Sequence, residues 1–234
     1  MGETDSGGGV TFPRLDAGVT GLATDDDLRG PLHALVCDHL LGTDGHALWV
    51  DSGGHATTAP LARIAPGERF LDRVRVARGF TACQHAALLD ALGGSVDDDT
   101  ALVVCPAVDL LYREGEVVGH QPRAFLERAV ERLVRAAGDR PVLVSWTEDD
   151  HLTAPLRAAL DRELRYEATR FGPRFSGESF ETLAYGTGGY DAGGGVQTTL
   201  AFWARLVRRR RDALGAGGTA GRRTQPGVSA GGAD

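Results

Sequence analysis

The apolar positions change period several times along the chain, and each change marks an element. Short runs rich in β-branched residues at Val10–Leu15, Ala47–Asp51, Val74–Ala77, Ala101–Cys105 and Pro141–Trp146 predict strands. The near-continuous ALVV and PVLVSW runs suit strands buried on both faces. Between them the spacing becomes helical. Leu28–Leu41 sets Leu28, Leu32, Leu35, Val36 and Leu40 on one side, and Thr81–Leu92 carries Ala87, Leu88, Ala91 and Leu92. In Pro122–Ala137, apolar residues from Phe125 to Ala137 recur at three and four, and Gly138 supplies a stop. Alternating strands and helices predict a mostly parallel sheet covered on both faces.

The last third changes character. Arg165–Phe171 and Ser179–Tyr185 alternate polar and apolar, as strands with one wet face do, with Gly172–Gly177 expected as the turn between them. Thr153–Leu164 reads as helix. Tyr185–Gly195 holds six glycines and reads as a long loop. Gln197–Arg211 returns to helical spacing through Leu200, Trp203 and Val207 and ends in four arginines, Arg208–Arg211. The expected fold is α/β: a parallel core extended by antiparallel C-terminal strands. Residues 1–9 are polar and Gly-rich and residues 215–234 are Gly, Ala, Ser and Pro-rich, so both are expected to be disordered around one domain over 10–214.

Composition narrows the chemistry. The 234 residues are 42% hydrophobic, enough for one medium domain with a core. All 25 basic residues are Arg; the chain has no Lys, which excludes Schiff-base chemistry and a Lys grip on phosphate. Cys37, Cys83 and Cys105 form no spaced pair, so neither a disulfide framework nor a structural zinc site is expected. No apolar run reaches membrane-spanning length and the N-terminus is not a signal peptide, so the expectation is a reduced, cytoplasmic protein without membrane contact. A net charge of −7 opposes simple coating of nucleic acid, and an Asp-rich, Lys-free composition suits salt-adapted, halophilic proteins.

One ordered series of segments carries a resemblance. GHALWVDSGGHATTAPL (45–61) precedes RVRVARGFTACQHAALLDAL (73–92), then ALVVCPAVDLLYREGE (101–116), then the 122–137 helix leading into PVLVSWTEDD (141–150). This order resembles the ATPase core of the RecA/RadA recombinases and their paralogues, with ARGF and LLYR the most specific matches. The resemblance implies a RecA-like P-loop NTPase fold. The family's chemistry needs a Gly-rich phosphate loop with a Lys and a hydroxyl before the first helix. Here that place reads DAGVTGLATDDDLR (16–29): Gly18 and Gly21 stand as flexible points, and Asp25, Asp26 and Asp27 stand just before the helix. Three carboxylates repel a triphosphate, since like charges about 4 Å apart cost roughly 4 kcal/mol at an effective dielectric near 20. The triplet reads as an internal substitute for phosphate, a metal-binding acidic loop, or a helix-capping turn, the last being favoured.

Two further family positions lack their chemistry. The Mg²⁺-orienting acid falls at Cys105–Pro106, with Asp109 able to substitute only if the backbone bends, and the water-activating Glu falls at Gly53, just after Asp51. No catalytic residue, cofactor or metal is therefore assigned. The resemblance places Arg113 and Arg123 around the first DNA-contacting loop, and Arg78 and Phe80 in a segment used for packing and coupling, where packing is favoured. Arg208, Arg209, Arg210 and Arg211, with Arg222 and Arg223, form the only concentrated positive region and are candidates for nucleic acid or a partner. Among seven His, only His151 with Glu148, Asp149 and Asp150 makes a cluster, read as a metal-assisted site or, preferably, a solvated cap. Ser145 and Cys105 lie at strand ends but without a nucleophile elbow. The expectation is a catalytically inactive paralogue, an accessory factor in DNA recombination or repair whose partner is a recombinase or single-stranded DNA. Two alternatives stand beside it: a nucleotide- or small-ligand-binding module, and the metal-assisted enzyme.

Overall fold

The computed structural model describes residues 11–113, 121–170, 172–178, 180–183 and 199–220. An eight-stranded sheet forms the centre, in the order β3-β2-β4-β5-β1-β6-β7-β8. Its strands are β1 (Gly18–Ala23), β2 (His46–Asp51), β3 (Val74–Arg78), β4 (Thr100–Cys105), β5 (Pro141–Val144), β6 (Arg162–Thr169), β7 (Gly172–Gly177) and β8 (Phe180–Leu183). The first six run parallel; β7 pairs antiparallel with β6 and β8 antiparallel with β7.

The helices are α1 (Arg29–Gly42), α2 (Thr58–Ile64), α3 (Ala82–Ser95), α4 (Leu110–Arg113), α5 (Gln121–Ala137), α6 (Ala154–Ala158) and α7 (Leu200–Ala220). Side-chain alternation along the central strands divides the core in two. Ala47, Trp49, Leu102, Val104 and Leu143 face α1, α2 and α7, whereas Leu48, Val50, Val103, Cys105, Val142 and Val144 face α3, α5 and α6. Under α7 an aromatic cluster of Phe12, Tyr166, Phe175 and Trp203 fills the space above β6 and β7.

Several elements differ from the sequence reading. The first strand is not Val10–Leu15, whose described part, 11–15, is irregular, but Gly18–Ala23. Its glycines read as loop residues, yet Gly21 is where Trp146 and Leu160 cover the strand: a Cβ there would lie 2.6 Å from Leu160 Cδ1. Gly172–Gly177 is a strand rather than a turn, because its edges pair on both sides, with β6 and β8. Thr153–Leu164 is a short helix followed by β6: Leu156 and Leu160 pack on one face of the sheet while Leu164 already belongs to the strand on the other. Helix α7 runs from Leu200 to Ala220, past the expected helix end at Arg211 and the expected domain end at 214. The expected tail beyond it, the 185–195 loop and residues 1–9 lie outside the described residues.

Arg73 ties three elements together at one corner. Its Nη1 donates to the Leu40 carbonyl in the last turns of α1 at 2.7 Å, Nη2 to Thr43 at 2.8 Å, and Nε to Gly45, just before β2, at 2.6 Å. These carbonyls belong to a helix end and turn, where backbone acceptors otherwise lack partners. Among the described residues, no helix is long and apolar enough to cross a membrane.

Candidate functional site

In a parallel sheet the loops at the carboxyl ends of the strands gather on one edge, and a crevice opens where successive connections leave toward opposite faces. That point lies between β1 and β5. The chain leaves β1 into α1 on one face and leaves β5 into α6 on the other. The residues around this crevice and along its edge form the candidate site.

The loop from β1 to α1 is only Thr24–Leu28 and contains no glycine. Gly18 and Gly21 are strand residues, and Gly18 serves a local contact: Val19 N–H donates to Asp161 Oδ2 at 2.8 Å. Each acid of the triplet has an internal partner. Asp27 Oδ1 accepts from the Arg29 N–H at 3.1 Å, which occupies a free donor of the α1 N-terminus. Asp26 Oδ2 accepts from the Ala168 N–H at 2.7 Å, and Asp25 pairs with Arg165 at 2.6 Å, both on β6. Gly30, in the first turn, is a close-approach position: a Cβ there would lie 2.1 Å from Trp203 Nε1.

At the end of β2, Asp51 is fully buried. Its Oδ1 accepts from the His55 and Ala56 N–H groups at 2.9 and 3.1 Å, and Oδ2 accepts from Arg78 Nε at 2.6 Å. Arg78 also donates to the Ala56 carbonyl at 2.9 Å, so both groups hold the 51–56 turn. Gly53 lies exposed in that turn with φ +75°. Ser52 Oγ is shared between the Pro106 and Ala107 carbonyls at 2.9 and 2.8 Å. Phe80 does not pack: its ring is 73% exposed.

After β4 the backbone does bend. Ala107 adopts φ +46°, and its N–H donates to the buried Ser145 hydroxyl at 2.9 Å. The bend brings Asp109 to the edge, but every contact it makes is internal. Oδ1 accepts from the Thr147 N–H at 2.8 Å, and Oδ2 accepts from Thr147 Oγ1 at 2.6 Å and Arg113 Nε at 2.5 Å. Arg113 spans from there to the loop after β5, reaching Asp150 with both terminal nitrogens. These bonds hold the Asp150 carboxyl well below its ordinary value. Asp149 pairs with Arg157 at 2.5 Å. The acidic segment at 148–150 is thus stapled by arginines, and the described residues hold no group of three side chains suited to a metal ion.

A buried polar chain runs beneath the edge. His85 Nδ1 lies 2.8 Å from the Tyr112 hydroxyl, and His85 Nε2 lies 3.7 Å from Cys105 Sγ. Burial lowers the His85 pKa to about 4 and raises those of Cys105 and Tyr112, so the chain is neutral. A neutral, fully buried thiol is not a nucleophile. His33 on α1 is also fully buried, 5.4 Å from the Trp49 ring, and neither of its nitrogens has a hydrogen-bond partner. Burial lowers its pKa to about 4. His33 belongs to no cluster in the sequence; its position on the apolar face of α1 is the one signal there of its burial.

Of the arginine candidates, Arg78 and Arg113 are structural staples, and Arg123 pairs with Glu127 one turn along α5 at 2.8 Å. Arg210 pairs with Asp38 of α1 at 2.9 Å, while Arg211 reaches the Pro66 carbonyl and Asp212. Arg208 and Arg209 are exposed. Residues 114–120, the expected DNA-contacting loop, and Arg222 and Arg223 lie outside the described residues. A cleft of about 620 Å³ lies at the opposite edge of the sheet and is lined by Phe12, Arg14, Asp16, Arg157, Asp161 and Arg162 among others.

Together the fold and edge define an α/β protein with a mostly parallel sheet flanked by helices. No protein-family model matches the chain, and no curated protein matches it.

Proposed function

We propose that this chain is a RecA/RadA-like domain that has given up nucleotide turnover and acts as an accessory or regulatory factor in DNA recombination or repair. The observation that carries the reading is the crevice loop at Thr24–Leu28. It sits between the first strand and first helix, where such a domain places phosphate, and carboxylates fill it. Those carboxylates already use the local N–H donor and Arg165, and a phosphate arriving there meets net negative charge. The parallel block with antiparallel strands appended after β6 agrees with the expected architecture. Pro106 and Gly53 supply neither the metal-orienting acid nor the general base, and Asp109 is spent on Thr147 and Arg113. The domain works by docking to a recombinase or to single-stranded DNA.

The test is ATP hydrolysis by the purified protein with and without single-stranded DNA, at low and high potassium chloride. The expected result is no turnover above a vector control. Turnover that follows the folded protein through purification overturns the reading. A second reading, a ligand-binding module that uses another pocket, draws on the cleft at the far edge of the sheet. Saturable micromolar binding of ATP, ADP or GTP in calorimetry would favour it.

A further inference from the structure

The outer edge of β3 carries hydrogen-bonding groups and apolar side chains that neither the core nor the candidate site uses. Among the described residues, β2 is its one neighbour in the sheet. The Gly79 N–H donates to the Asp51 carbonyl of β2 at 3.1 Å. In a parallel ladder the bonded residues alternate along the strand, so Ala77 and Arg75 also turn their main-chain groups toward β2. Those of Val74, Val76 and Arg78 point outward from the sheet. The Val74 N–H is taken by the Leu71 carbonyl. The Val74 carbonyl and both main-chain groups of Val76 and Arg78 are left for a further strand. Apolar surface lies beside them. Four large apolar side chains are well exposed among the described residues, and two of them, Val76 at 46% and Phe80 at 73%, lie on this strand or just past its end.

Charge on an edge strand deters pairing, but the arginines here are already matched within the chain. Arg78 Nε holds the buried Asp51 at 2.6 Å, and Arg75 Nη1 lies 3.8 Å from Asp97. An acidic strand from another protein therefore meets no unmatched cation on β3. A second copy of β3 fits this edge in one register. Antiparallel pairing about a twofold axis at Val76 sets Val76 opposite Val76, Arg75 opposite Ala77 and Val74 opposite Arg78. No two arginines are directly opposed, and the exposed Val76 is covered by its own twin. The outward groups match as well: the two Val76 residues exchange a pair of bonds, and each Arg78 N–H meets a Val74 carbonyl. The flanking registers fit less well. Centring on Arg75 opposes two arginines, and centring on Ala77 sets Val76 against Arg78. With the axis at Val76, Phe80 of each copy falls opposite Asp72 of the other, beside the half-buried Leu71.

We propose that the protein forms a twofold homodimer in which β3 pairs antiparallel with β3 of a second copy, making one sheet continuous across both chains. The surface is the same patch on each copy, as a twofold interface requires, and the pairing closes at two because it uses the β3 edge of both. Main-chain bonds supply the register, and Val76 and Phe80 supply the apolar contact. The inference rests on the sheet edge and not on the accessory reading, and it goes beyond that reading by adding an interaction surface and its occupant.

The experiment is sedimentation equilibrium of the full chain over a range of protein and potassium chloride concentrations. A reversible monomer–dimer equilibrium is expected, and it should strengthen with salt, because each copy carries a net charge of −7 and salt screens their repulsion. Val76→Lys places like charges opposite each other on the axis. Val76→Pro removes an outward N–H and leaves the bonds to β2 in place. Each should weaken the dimer by about tenfold or more. Val134→Lys, at an equally exposed apolar position on α5, should dimerise as wild type. Circular dichroism establishes that each variant is folded, and the Val76→Lys result decides if the proline variant is not. In hydrogen exchange the Val76 and Arg78 amides should be protected in the dimer and lose that protection on dilution. A wild type that stays monomeric up to about 1 mM overturns the proposal and leaves the edge to another protein's strand. A dimer that survives in folded Val76→Lys, an open series of larger species, or a dimer weakened by salt also overturns it. ATP hydrolysis plays no part in this readout, so its outcome is separate from that of the turnover assay.

Discussion

Arg113 grips Asp150 with both ends of its guanidinium fork, Nη1 to Oδ2 at 2.8 Å and Nη2 to Oδ1 at 2.9 Å, while its Nε holds the fully buried Asp109. One cation thus locks the segment after β4 to the loop after β5. Arg113→Ala leaves the Asp109 carboxylate buried without its cation. The expected loss is about 3–5 kcal/mol of unfolding free energy, the range for breaking a buried pair from one side. Arg113→Lys should recover only part of it, because an ammonium cannot reproduce the fork. Urea denaturation of the three proteins measures both values.

Stability should fall with acidity in a defined window. His33 and His85 titrate near 6.5 when unfolded and near 4 when folded. Above about pH 6.5 neither state binds the proton and the two histidines are silent. Between about 6.5 and 4 the unfolded chain takes up protons that the folded chain refuses, so stability declines; below about 4 this contribution levels off. Asp150, whose folded value is lowered, extends the decline through the carboxylate range. Within the window each histidine removes about 1.4 kcal/mol for every step of one in pH, so the two together cost several kcal/mol. His33→Leu removes two unpartnered nitrogens from the core, so it should leave stability at pH 7.5 little changed and flatten the acid limb. Melting temperatures from pH 8 to pH 4 check the slope.

Gly30→Ala sets two opposing effects against each other. Alanine gains about 1 kcal/mol over glycine in a helix. Its Cβ, however, would fall 2.1 Å from Trp203 Nε1, in an indole that is fully buried among aromatic neighbours. Overpacking costs typically 1–3 kcal/mol and rises with the overlap, so the clash wins and the variant should be destabilised. Thermal melts with Trp fluorescence as the probe report both the loss and a disturbed indole environment.

The acidic triplet should behave as a set of internal anchors, one to α1 and two to β6, rather than as a latent binding site. Asp27→Ala removes the exposed acceptor of the Arg29 N–H, one residue ahead of the N-cap Leu28, and should cost under about 1 kcal/mol. Asp25→Ala breaks a well-exposed pair with Arg165 and should cost under about 0.5 kcal/mol. Replacing all three with Asn removes the negative charge without creating a glycine-rich loop, so calorimetry with ATP and Mg²⁺ should stay flat. Tight ATP binding by that variant would contradict the proposed loss of the phosphate site.

Much of the sheet was legible because β2 and β4 are buried on both faces, and because β3, a largely exposed edge strand, is β-branched at Val74 and Val76. Ala47–Asp51, Val74–Ala77 and Ala101–Cys105 recur as β2, β3 and β4 to within a residue at either end. Helix α5 declares itself through a strong polar–apolar division, with Leu126, Ala129, Val130 and Leu133 buried. What was missed depends on contacts distant in sequence. Gly18 and Gly21 read as loop until Asp161, Leu160 and Trp146 are placed around them. Leu156, Leu160 and Leu164 share a helical spacing, yet a chain reversal before Arg162 sends the last to the other side of the sheet. At the candidate site, the acids at 25–27 were readable as a turn before a helix, but their partners were not: only Asp27 bonds the first turn of α1, while Asp25 and Asp26 reach β6. The roles of Asp109 and Arg113 were not, because they hang on a positive φ at Ala107, a residue type that gives no sign of one.

The Arg73 node has a bearing on how the protein opens. β3 is an edge strand with a neighbour on one side only, and such strands commonly fray ahead of the interior. Arg73 stands at its threshold and is bonded to the end of α1 and to the approach to β2. Separating the start of β3 therefore uncaps α1 at the same moment, and the two become one cooperative unit. In hydrogen exchange the amides at the start of β3 should then share the slow opening rate of α1.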